Sequence, residues 1–273
     1  MPARLSAAIV TYRPEPRLLR DTLASLANAV ARARSAGEIS DAALFLVDNG
    51  PPESEGVVRD AAGIWPREAG TLEIVGGHGN VGYGRANNLA LARLDSDFHL
   101  VLNPDVEVDA DALRAALAAM RAHPGVGIVV PAVFRADGAR EYLCKRHPSV
   151  RILLLRAFAP ASLRRRFARD LDHYEMRDAT GNAYFEGVPL ASGCFLLART
   201  ALLKGLGGFD PAYFMYFEDF DLSARASRDA AIAYEPAARI VHHGGDAARK
   251  GLRHIAWFGA SAFRFFNRHG WRW

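Results

Sequence analysis

The feature that most constrains the fold is an alternation of short apolar runs and helical patterns across the first half of the chain. Strands are predicted at residues 7–11, 43–47, 72–75, 98–102 and 126–130, with helices at 17–33, 85–94 and 111–122 between them. Successive β–α units of this kind form a parallel sheet with helices on both faces. The predicted fold class is therefore α/β, with a mixed, mostly parallel sheet flanked by helices and with ligands at the carboxyl ends of its strands.

The second half of the chain follows a less regular pattern. Residues 134–184 contain many arginines and several turn signals without a clean period, which predicts an irregular insertion or lid. A strand is predicted at 192–198, and a helix from the acidic run at 217–221 to about residue 228. The pattern of residues 252–266 is that of an aromatic-rich helix.

The composition excludes several classes of protein. With 50% hydrophobic and 23% charged residues, the chain lies near the globular average, which excludes disordered and collagen-like chains. The two cysteines, Cys144 and Cys194, are too few for a disulfide framework and predict a reducing compartment. No apolar run approaches the roughly 20 residues of a membrane span, and the first residues do not form a signal peptide. A cytoplasmic protein is therefore expected.

Basic residues are concentrated in two segments, the irregular one and the C-terminal tail. The irregular segment contains Arg151, Arg156, Arg164, Arg165, Arg166 and Arg169, and the C-terminal tail contains Arg249, Lys250, Arg253, Arg264, Arg268 and Arg272. Such clusters suit an anionic partner, whether nucleic acid, diphosphate or acidic lipid. A plain solvated face explains them equally well.

A glycine-rich loop follows the third predicted strand. Its residues, Gly77-His78-Gly79-Asn80-Val81-Gly82, match the GxGxxG pattern of dinucleotide-binding folds, although that pattern normally follows the first strand. Backbone N–H groups converging at a helix start also suit phosphate or sugar oxygens. A plain left-handed turn is the third interpretation.

Carboxylates follow the predicted strand at 98–102. Asp105 comes just after this strand, and a carboxylate there, without cysteine or clustered histidine, suits Mg²⁺ or Mn²⁺ holding a diphosphate. Asp109 is expected to cap the next helix, and Glu107 to be solvated. His242 or His243, after a strand-like run, could add a metal ligand if the fold brings it near Asp105.

A second acidic group contains Glu218, Asp219 and Asp221, and aromatic residues surround it in the sequence. Mutual repulsion and loss of solvent are expected to raise at least one carboxyl pKa toward the range of a general base. Acidic residues also favour a helix N-terminus. One carboxylate can fill that role while its neighbour does the chemistry.

Taken together, these segments resemble a family 2 glycosyltransferase, closest to the rhamnosyltransferase-like branch that builds bacterial polysaccharides. The resemblance covers about residues 5–245 and rests on VTYRPE near the start, VDNGP at 47–51, GNVGYGRANN at 79–88, LNPDVEV at 102–108, ASGCFLLART at 191–200, GGFDPAYFMYFEDFDLSAR at 207–225 and VHHGG at 241–245. It implies one GT-A domain over 1–273. A nucleotide-sugar-binding half would extend to about residue 130, an acceptor half with the basic insertion over about 131–250, and an amphipathic helix over 251–273.

The resemblance also implies site residues by position. Residues expected to hold the base and ribose of the donor are Thr11, Tyr12 and Asp48, and those expected to line the donor pocket are Asn80, Gly82, Asn87 and Asn88. Asp105 matches the metal-binding aspartate of a D-x-D-like motif whose first position is Asn103 here. Asp219 matches the catalytic base, with Glu218 supporting it. His242 matches a histidine that helps to bind metal or diphosphate, with His243 as its competitor.

The implied reaction is an inverting, Mg²⁺- or Mn²⁺-dependent transfer of a sugar to a glycan or polyprenyl-diphosphate-linked acceptor in cell-envelope polysaccharide (O-antigen) synthesis. The expected donor is dTDP-rhamnose, with UDP- and GDP-sugars as alternatives. The basic segments agree with a peripheral contact at the inner membrane, and no nucleic-acid partner is expected. The remaining alternatives are an NAD-dependent oxidoreductase and a non-catalytic nucleotide-sugar-binding subunit, which would need no base.

Overall fold

The computed structural model describes residues 1–244 and 252–273, and a mixed sheet forms its centre. In chain order, the described strands are β1 (Ala3–Thr11), β2 (Ile39–Asp48), β3 (Thr71–Val75), β4 (Phe98–Leu102), β5 (Val106–Val108), β6 (Val126–Phe134), β7 (Arg140–Glu141), β8 (Cys144–Lys145), β9 (Phe185–Glu186), β10 (Leu190–Ala191), β11 (Phe195–Arg199) and β12 (Ala231–His242). Gly245, Arg249 and Lys250, which belong to predicted motifs, lie outside the described residues.

Helices cover both faces of this sheet, and three short helices that follow β8 in the chain form a separate group. They are α1 (Pro16–Ser35), α2 (Glu55–Ala62), α3 (Tyr83–Leu91), α4 (Ala112–Ala122), α5 (Val150–Phe158), α6 (Ala161–Arg166), α7 (Ala168–Tyr174), α8 (Thr200–Gly205), α9 (Glu218–Ala226) and α10 (Leu252–His269). Within the described ranges, none of them combines the length and apolarity needed to cross a membrane.

The strand order of the main sheet is β3-β2-β1-β4-β11-β6-β12-β5. The first four strands are parallel, as the alternation in the sequence predicts. Strand β11 then runs antiparallel to both β4 and β6, while β12 is parallel to β6 and antiparallel to β5. The structure thus confirms the mixed α/β fold class and places a reversed strand at the centre of the sheet.

The apolar runs form central strands because both faces of the sheet are covered. All five residues of β4 are buried, as expected for a strand packed on both sides. Along β1, Ile9 belongs to the apolar cluster that includes Leu19 of α1. The next residue, Val10, belongs to the cluster that includes Ala86 of α3. This alternation anchors α1 and α3 on opposite faces and leaves the carboxyl ends of the strands open between them.

The segment predicted as irregular instead contains three short helices, α5, α6 and α7, within residues 150–174. These helices have six to nine residues, too few to show a clear 3.6-residue period, and α6 buries none of its side chains. Ion pairs such as Arg151 with Asp170 hold them, and the Val150 N–H donates to the Arg272 carbonyl in the C-terminal tail. The short helices are therefore positioned by tertiary contacts.

Candidate active site

The ends of β1 and β2 place two predicted donor-binding residues side by side. Thr11 pairs with Asp48 in the register of these strands, and both are buried. Asp48 Oδ1 accepts hydrogen bonds from the Gly50 N–H at 3.0 Å and the Ser54 hydroxyl at 3.3 Å. Tyr12, the next residue after β1, is 49% exposed. The strand ends thus present a fixed carboxylate and an accessible aromatic ring at one edge of the sheet.

The glycine-rich loop is fastened to the end of β2 by Asn49. Its amide Nδ2 lies 3.1 Å from Asn80 Oδ1, and its Oδ1 accepts from the Val81 N–H at 2.9 Å. Gly82 then begins α3 with a φ of +92°, and a Cβ there would lie 2.4 Å from the Phe214 carbonyl oxygen. Only glycine fits this position. Asn49, which directly follows Asp48, was not among the predicted site residues.

The two asparagines of α3 differ in their contacts. Both polar atoms of the Asn88 amide bind the Phe209 backbone, Nδ2 to the carbonyl at 2.7 Å and Oδ1 to the N–H at 2.9 Å. Asn88 therefore fixes the turn that leads to the acidic run, and its expected place in the donor pocket stays a prediction. Asn87 is 2% exposed and donates to the Tyr83 carbonyl.

Asp105 and His242 come together because β5 pairs with β12. His242 is opposite Val106 in this register, and its Nε2 lies 3.6 Å from Asp105 Oδ1. On the other side of the ring, Nδ1 lies 3.0 Å from Glu141 Oε2. Asp105 Oδ1 is buried and has no hydrogen-bond partner among residues 1–244 and 252–273. The structure thus brings His242 to Asp105, as the resemblance implies.

His243 faces a different carboxylate. Its Nε2 lies 2.7 Å from Glu107 Oε1, so the expectation that Glu107 is merely solvated is wrong. The backbone N–H of His243 donates to the Asp105 carbonyl oxygen and so helps to shape this turn. Asp109 was expected to cap α4, but the N-cap is Asp111, and Asp109 Oδ1 instead accepts from the Asp111 N–H at 3.0 Å in the turn before the helix.

The gap between Asp105 and His242 fits a divalent cation that is completed by substrate. Within the described ranges, no group of three or more His, Cys, Asp or Glu side chains is arranged to hold a metal ion alone. However, an unpaired buried carboxylate oxygen faces an imidazole nitrogen across the gap. Mg²⁺ is typically held by one or two carboxylates together with phosphate oxygens and water. These residues suit such a cation bound together with a diphosphate.

A tyrosine joins the end of β4 to the second acidic group. The Tyr83 hydroxyl lies 2.9 Å from Asn103 Oδ1 and 3.0 Å from the Gly193 carbonyl oxygen. The Gly193 N–H in turn donates to Asp219 Oδ2 at 2.9 Å. Asn103, expected to bind substrate, thus also takes part in a chain of contacts that reaches α9. Tyr83 was not predicted, and a tyrosine within a glycine-rich stretch gave no distinct signal.

Strained backbone introduces the second acidic group. Tyr216 and Phe217 have φ values of 68° and 63°, and left-handed non-glycine residues cost about 1–3 kcal/mol each. Phe217 is buried against the Phe258 and Phe265 rings of α10, whose packing holds the strained turn in place. Helix α9 begins immediately afterwards at Glu218. The turn therefore sets the direction in which the first carboxylates of α9 project.

The carboxyl groups of Glu218 and Asp219 have raised pKa values, as predicted. Burial raises both, and the negative charge of Asp219 raises the pKa of Glu218 further. The Gly193 and Phe220 N–H groups bind the two Asp219 oxygens and partly offset the rise in its pKa. Glu218 Oε2 is buried and unpaired within the described part of the chain. The two N–H groups thus favour the charged form of Asp219, whereas burial and the neighbouring charge favour the protonated form of Glu218.

Asp221, the third member of this acidic group, has a structural role. It is fully buried, and its Oδ2 accepts from the Arg225 Nε at 2.7 Å. Its Oδ1 lies 2.9 Å from His269 Nε2 at the end of α10. These partners neutralise its charge and tie α9 to the C-terminal helix.

Comparison with protein families and known proteins gives consistent matches. Residues 6–206 match the model of glycosyl transferase family 2. The chain is 30% identical to the N-acetylglucosaminyl-diphospho-decaprenol L-rhamnosyltransferase of Mycobacterium tuberculosis, over 98% of this chain and 86% of that protein. It is 25% identical to Rhamnosyltransferase WbbL of Escherichia coli, over 72% of this chain and 74% of that protein.

Solved structures share the fold at lower sequence identity. The mannosyltransferase PcManGT of Pyrobaculum calidifontis, in complex with GDP-Man and Mn²⁺, superposes with a TM-score of 0.60 at 17% identity, over 97% of this chain and 65% of that one. TarS (1–349) of S. aureus superposes with a TM-score of 0.57 at 16% identity, over 97% of this chain and 72% of that one. These likenesses establish a GT-A fold.

Proposed function

Because this chain belongs to glycosyl transferase family 2, we propose that it is an inverting, metal-dependent transferase that moves L-rhamnose from dTDP-rhamnose to a polyprenyl-diphosphate-linked acceptor. The observation that carries the proposal is the opposition of two acidic groups, one facing a histidine at the sheet edge and one buried on α9. The names of the two rhamnosyltransferase relatives support the sugar, and the first of them supports the acceptor class.

Asp219 is proposed as the base. Its ionised form is favoured over that of Glu218 because two backbone N–H groups bind it, yet burial keeps its pKa raised. A carboxylate in this state can remove the proton from an acceptor hydroxyl as that oxygen attacks the anomeric carbon. Attack opposite the leaving diphosphate inverts the anomeric centre. Glu218, holding its own proton, supports the base without competing for the acceptor proton.

Asp105 Oδ1 and His242 Nε2 are proposed to hold Mg²⁺ or Mn²⁺. When bound, such a cation neutralises the charge on the departing nucleoside diphosphate. The Mn²⁺ named with one GT-A neighbour supports this proposal. The histidine at this position is His242, because the contacts of His243 run to Glu107.

The donor is proposed to bind over the first half of the chain, to about residue 130. Thr11, Tyr12 and Asp48 would hold the base and ribose, and Asn80 and Gly82 would line the pocket beside the diphosphate and sugar. Asn87 and Asn103 complete the proposed donor pocket. The acceptor half would follow to about residue 250, and a single GT-A domain would contain both.

The acceptor side of the protein presents an apolar and basic surface, for which we propose a peripheral contact with an anionic inner membrane. On α5, Leu154 and Phe158 are 53% and 67% exposed, and Arg151 lies on the same stripe. The C-terminal tail adjoins α5 through the bond from Val150 to Arg272, and Trp273 at its end is 83% exposed. Exposed apolar side chains beside arginines suit an anionic lipid surface.

The membrane proposal is tested by co-sedimentation of the full chain with phosphatidylglycerol vesicles and with phosphatidylcholine vesicles. Binding to the anionic vesicles only, reduced in a Leu154→Ser/Phe158→Ser variant, is the expected result. Equal recovery in the supernatant with both lipids would remove the membrane contact and leave the transferase proposal unaffected.

The proposed transfer is tested with purified protein, dTDP-rhamnose and an N-acetylglucosaminyl-diphospho-polyprenol acceptor, with Mn²⁺ and with a chelator. Product formation that requires the divalent ion, with inversion of the anomeric centre seen by NMR, is expected. Turnover only with a UDP- or GDP-sugar would correct the donor. The oxidoreductase alternative loses support from the family match and from the position of Gly82 after the third strand. A melting-temperature rise with NAD alone would restore it.

A further inference from the structure

Glu141 reaches the proposed metal site from the opposite side of strand β6. It lies on β7, opposite Val133 of β6, and Ile240 of β12 pairs with the same Val133. His242 follows Ile240 by two residues, so both lie on one face of β12. The Glu141 side chain crosses β6 and places Oε2 3.0 Å from His242 Nδ1.

This contact determines what the rest of the imidazole ring can do. A carboxylate only accepts hydrogen bonds, so Nδ1 carries the hydrogen shared with Glu141. The opposite nitrogen, Nε2, can then present a lone pair to the gap. It lies 3.6 Å from Asp105 Oδ1, which is longer than a hydrogen bond. Asp105 Oδ1 has no partner in the described ranges, so a carboxylate oxygen faces the Nε2 side of the ring across the gap.

We propose that Glu141 is a positioning residue, which fixes the tautomer and orientation of His242 so that Nε2 faces a divalent cation shared with Asp105. The inference rests on the metal site proposed above. Histidine ligands of metals commonly donate their second ring N–H to a carboxylate, and loss of that carboxylate typically lowers metal affinity 10–100-fold. The buried position of the ring, with its two nitrogens held from opposite sides, agrees with this role.

The chain contains a matched control for this contact. Glu107 and His243 form a second carboxylate–histidine pair, with Glu107 Oε1 2.7 Å from His243 Nε2. The two histidines are adjacent in sequence, and their carboxylate partners come from different strands, β5 and β7. Removing Glu107 deletes the same kind of pair without touching the His242 ring.

The experiment measures Mn²⁺ binding to the full chain in the presence of dTDP, by isothermal titration calorimetry, for the native protein and the variants Glu141→Ala, Glu141→Gln and Glu107→Ala. Glu141→Ala is expected to weaken Mn²⁺ binding about 10–100-fold. Glu141→Gln should restore part of the loss, because its amide oxygen still accepts from Nδ1. Glu107→Ala should bind Mn²⁺ as the native protein does.

A second readout needs no metal. The ¹⁵N shifts of the His242 ring in the metal-free protein should show the Nδ1–H tautomer, and Glu141→Ala should convert it to a mixture. Native-like Mn²⁺ affinity or an unchanged tautomer in a folded Glu141→Ala protein overturns the role of Glu141. If Asp105→Ala abolishes binding while Glu141→Ala does not, the metal site stands and only this inference fails. If the native protein binds no Mn²⁺ with dTDP, both fail.

Discussion

The two acidic groups of this site contain the same residue types in opposite environments. At the sheet edge, Asp105 faces an imidazole ring across an open gap, and a second carboxylate holds the far side of that ring. On α9, Glu218 and Asp219 are packed beneath aromatic side chains and have no cationic partner among residues 1–244 and 252–273. The first group has the surroundings that the proposed cation needs, and the second those that the proposed base needs.

The difference teaches that the roles proposed for these carboxylates follow from their environment and not from their residue type. Two titratable groups whose surroundings differ in burial and in neighbouring charge can serve one reaction in complementary ways. Tyr83 and Gly193 connect the two groups, so the distance between the proposed base and the proposed cation is set by a short chain of hydrogen bonds. Changes on either side should therefore have separable effects.

The largest effect is expected for Asp219→Asn. The amide keeps the shape of the side chain but cannot take a proton, so kcat should fall about 10²–10⁴-fold with dTDP binding retained. The matched control is Asp221→Asn, which weakens the buried contacts to Arg225 and His269 and should lower the melting temperature with little change in turnover per folded molecule. Near-normal kcat in a folded Asp219→Asn protein would exclude it as the base.

The next largest effect is expected for Asp105→Ala, in the acidic group at the sheet edge. Loss of the carboxylate removes one of the two atoms that border the gap, so Mn²⁺-dependent dTDP binding should weaken at least tenfold, while metal-free dTDP binding is kept. Calorimetric titration of dTDP with and without Mn²⁺ measures the metal-dependent and the metal-free binding separately. An unchanged Mn²⁺ dependence would show that the cation, if one is used, binds elsewhere.

A smaller effect concerns stability and pH. Because the Glu218 pKa is raised in the folded protein, the unfolded chain releases this proton first as the pH rises above the ordinary carboxyl range. Glu218 therefore lowers the free energy of unfolding as the pH rises from the ordinary carboxyl pKa to its raised pKa in the folded protein. Glu218→Gln should raise the free energy of unfolding, measured by chemical denaturation, more at pH 8 than at pH 5, by a difference on the order of 1–3 kcal/mol. Equal gains at both pH values would contradict a protonated Glu218.

The smallest effect is expected for Tyr83→Phe, which tests the connection between the groups. The change removes a hydroxyl that contacts Asn103 and Gly193, and a typical hydrogen bond contributes about 0.5–1.5 kcal/mol. Turnover should fall about 2–10-fold, with the Mn²⁺ dependence unchanged. Loss of Mn²⁺ binding in this variant would show that the two groups are not separable.

Several parts of the site could be predicted from sequence because they lie at the ends of strongly patterned strands. Strand β4 has the predicted bounds, and Thr11 and Asp48 are neighbours because parallel strands end at the same edge. Glu141 and Tyr83 could not be found in this way. Their roles depend on contacts with residues 101 and 110 positions away in the sequence, which local patterns do not encode.

By itself, the sequence determined the alternating half of the fold, the glycine-rich turn that ends at Gly82 and the crowding of acidic residues in the first turn of α9. Periodic burial and turn chemistry act over a few neighbouring residues, so local sequence is enough to set them. Only the tertiary structure decided that β11 runs antiparallel at the centre of the sheet and that His242 faces Asp105 while His243 turns to Glu107. It also decided that two backbone N–H groups bind Asp219, while Glu218 Oε2 is buried without a hydrogen-bond partner among the described residues. Those outcomes depend on strand register and on burial, which arise only when distant segments pack together.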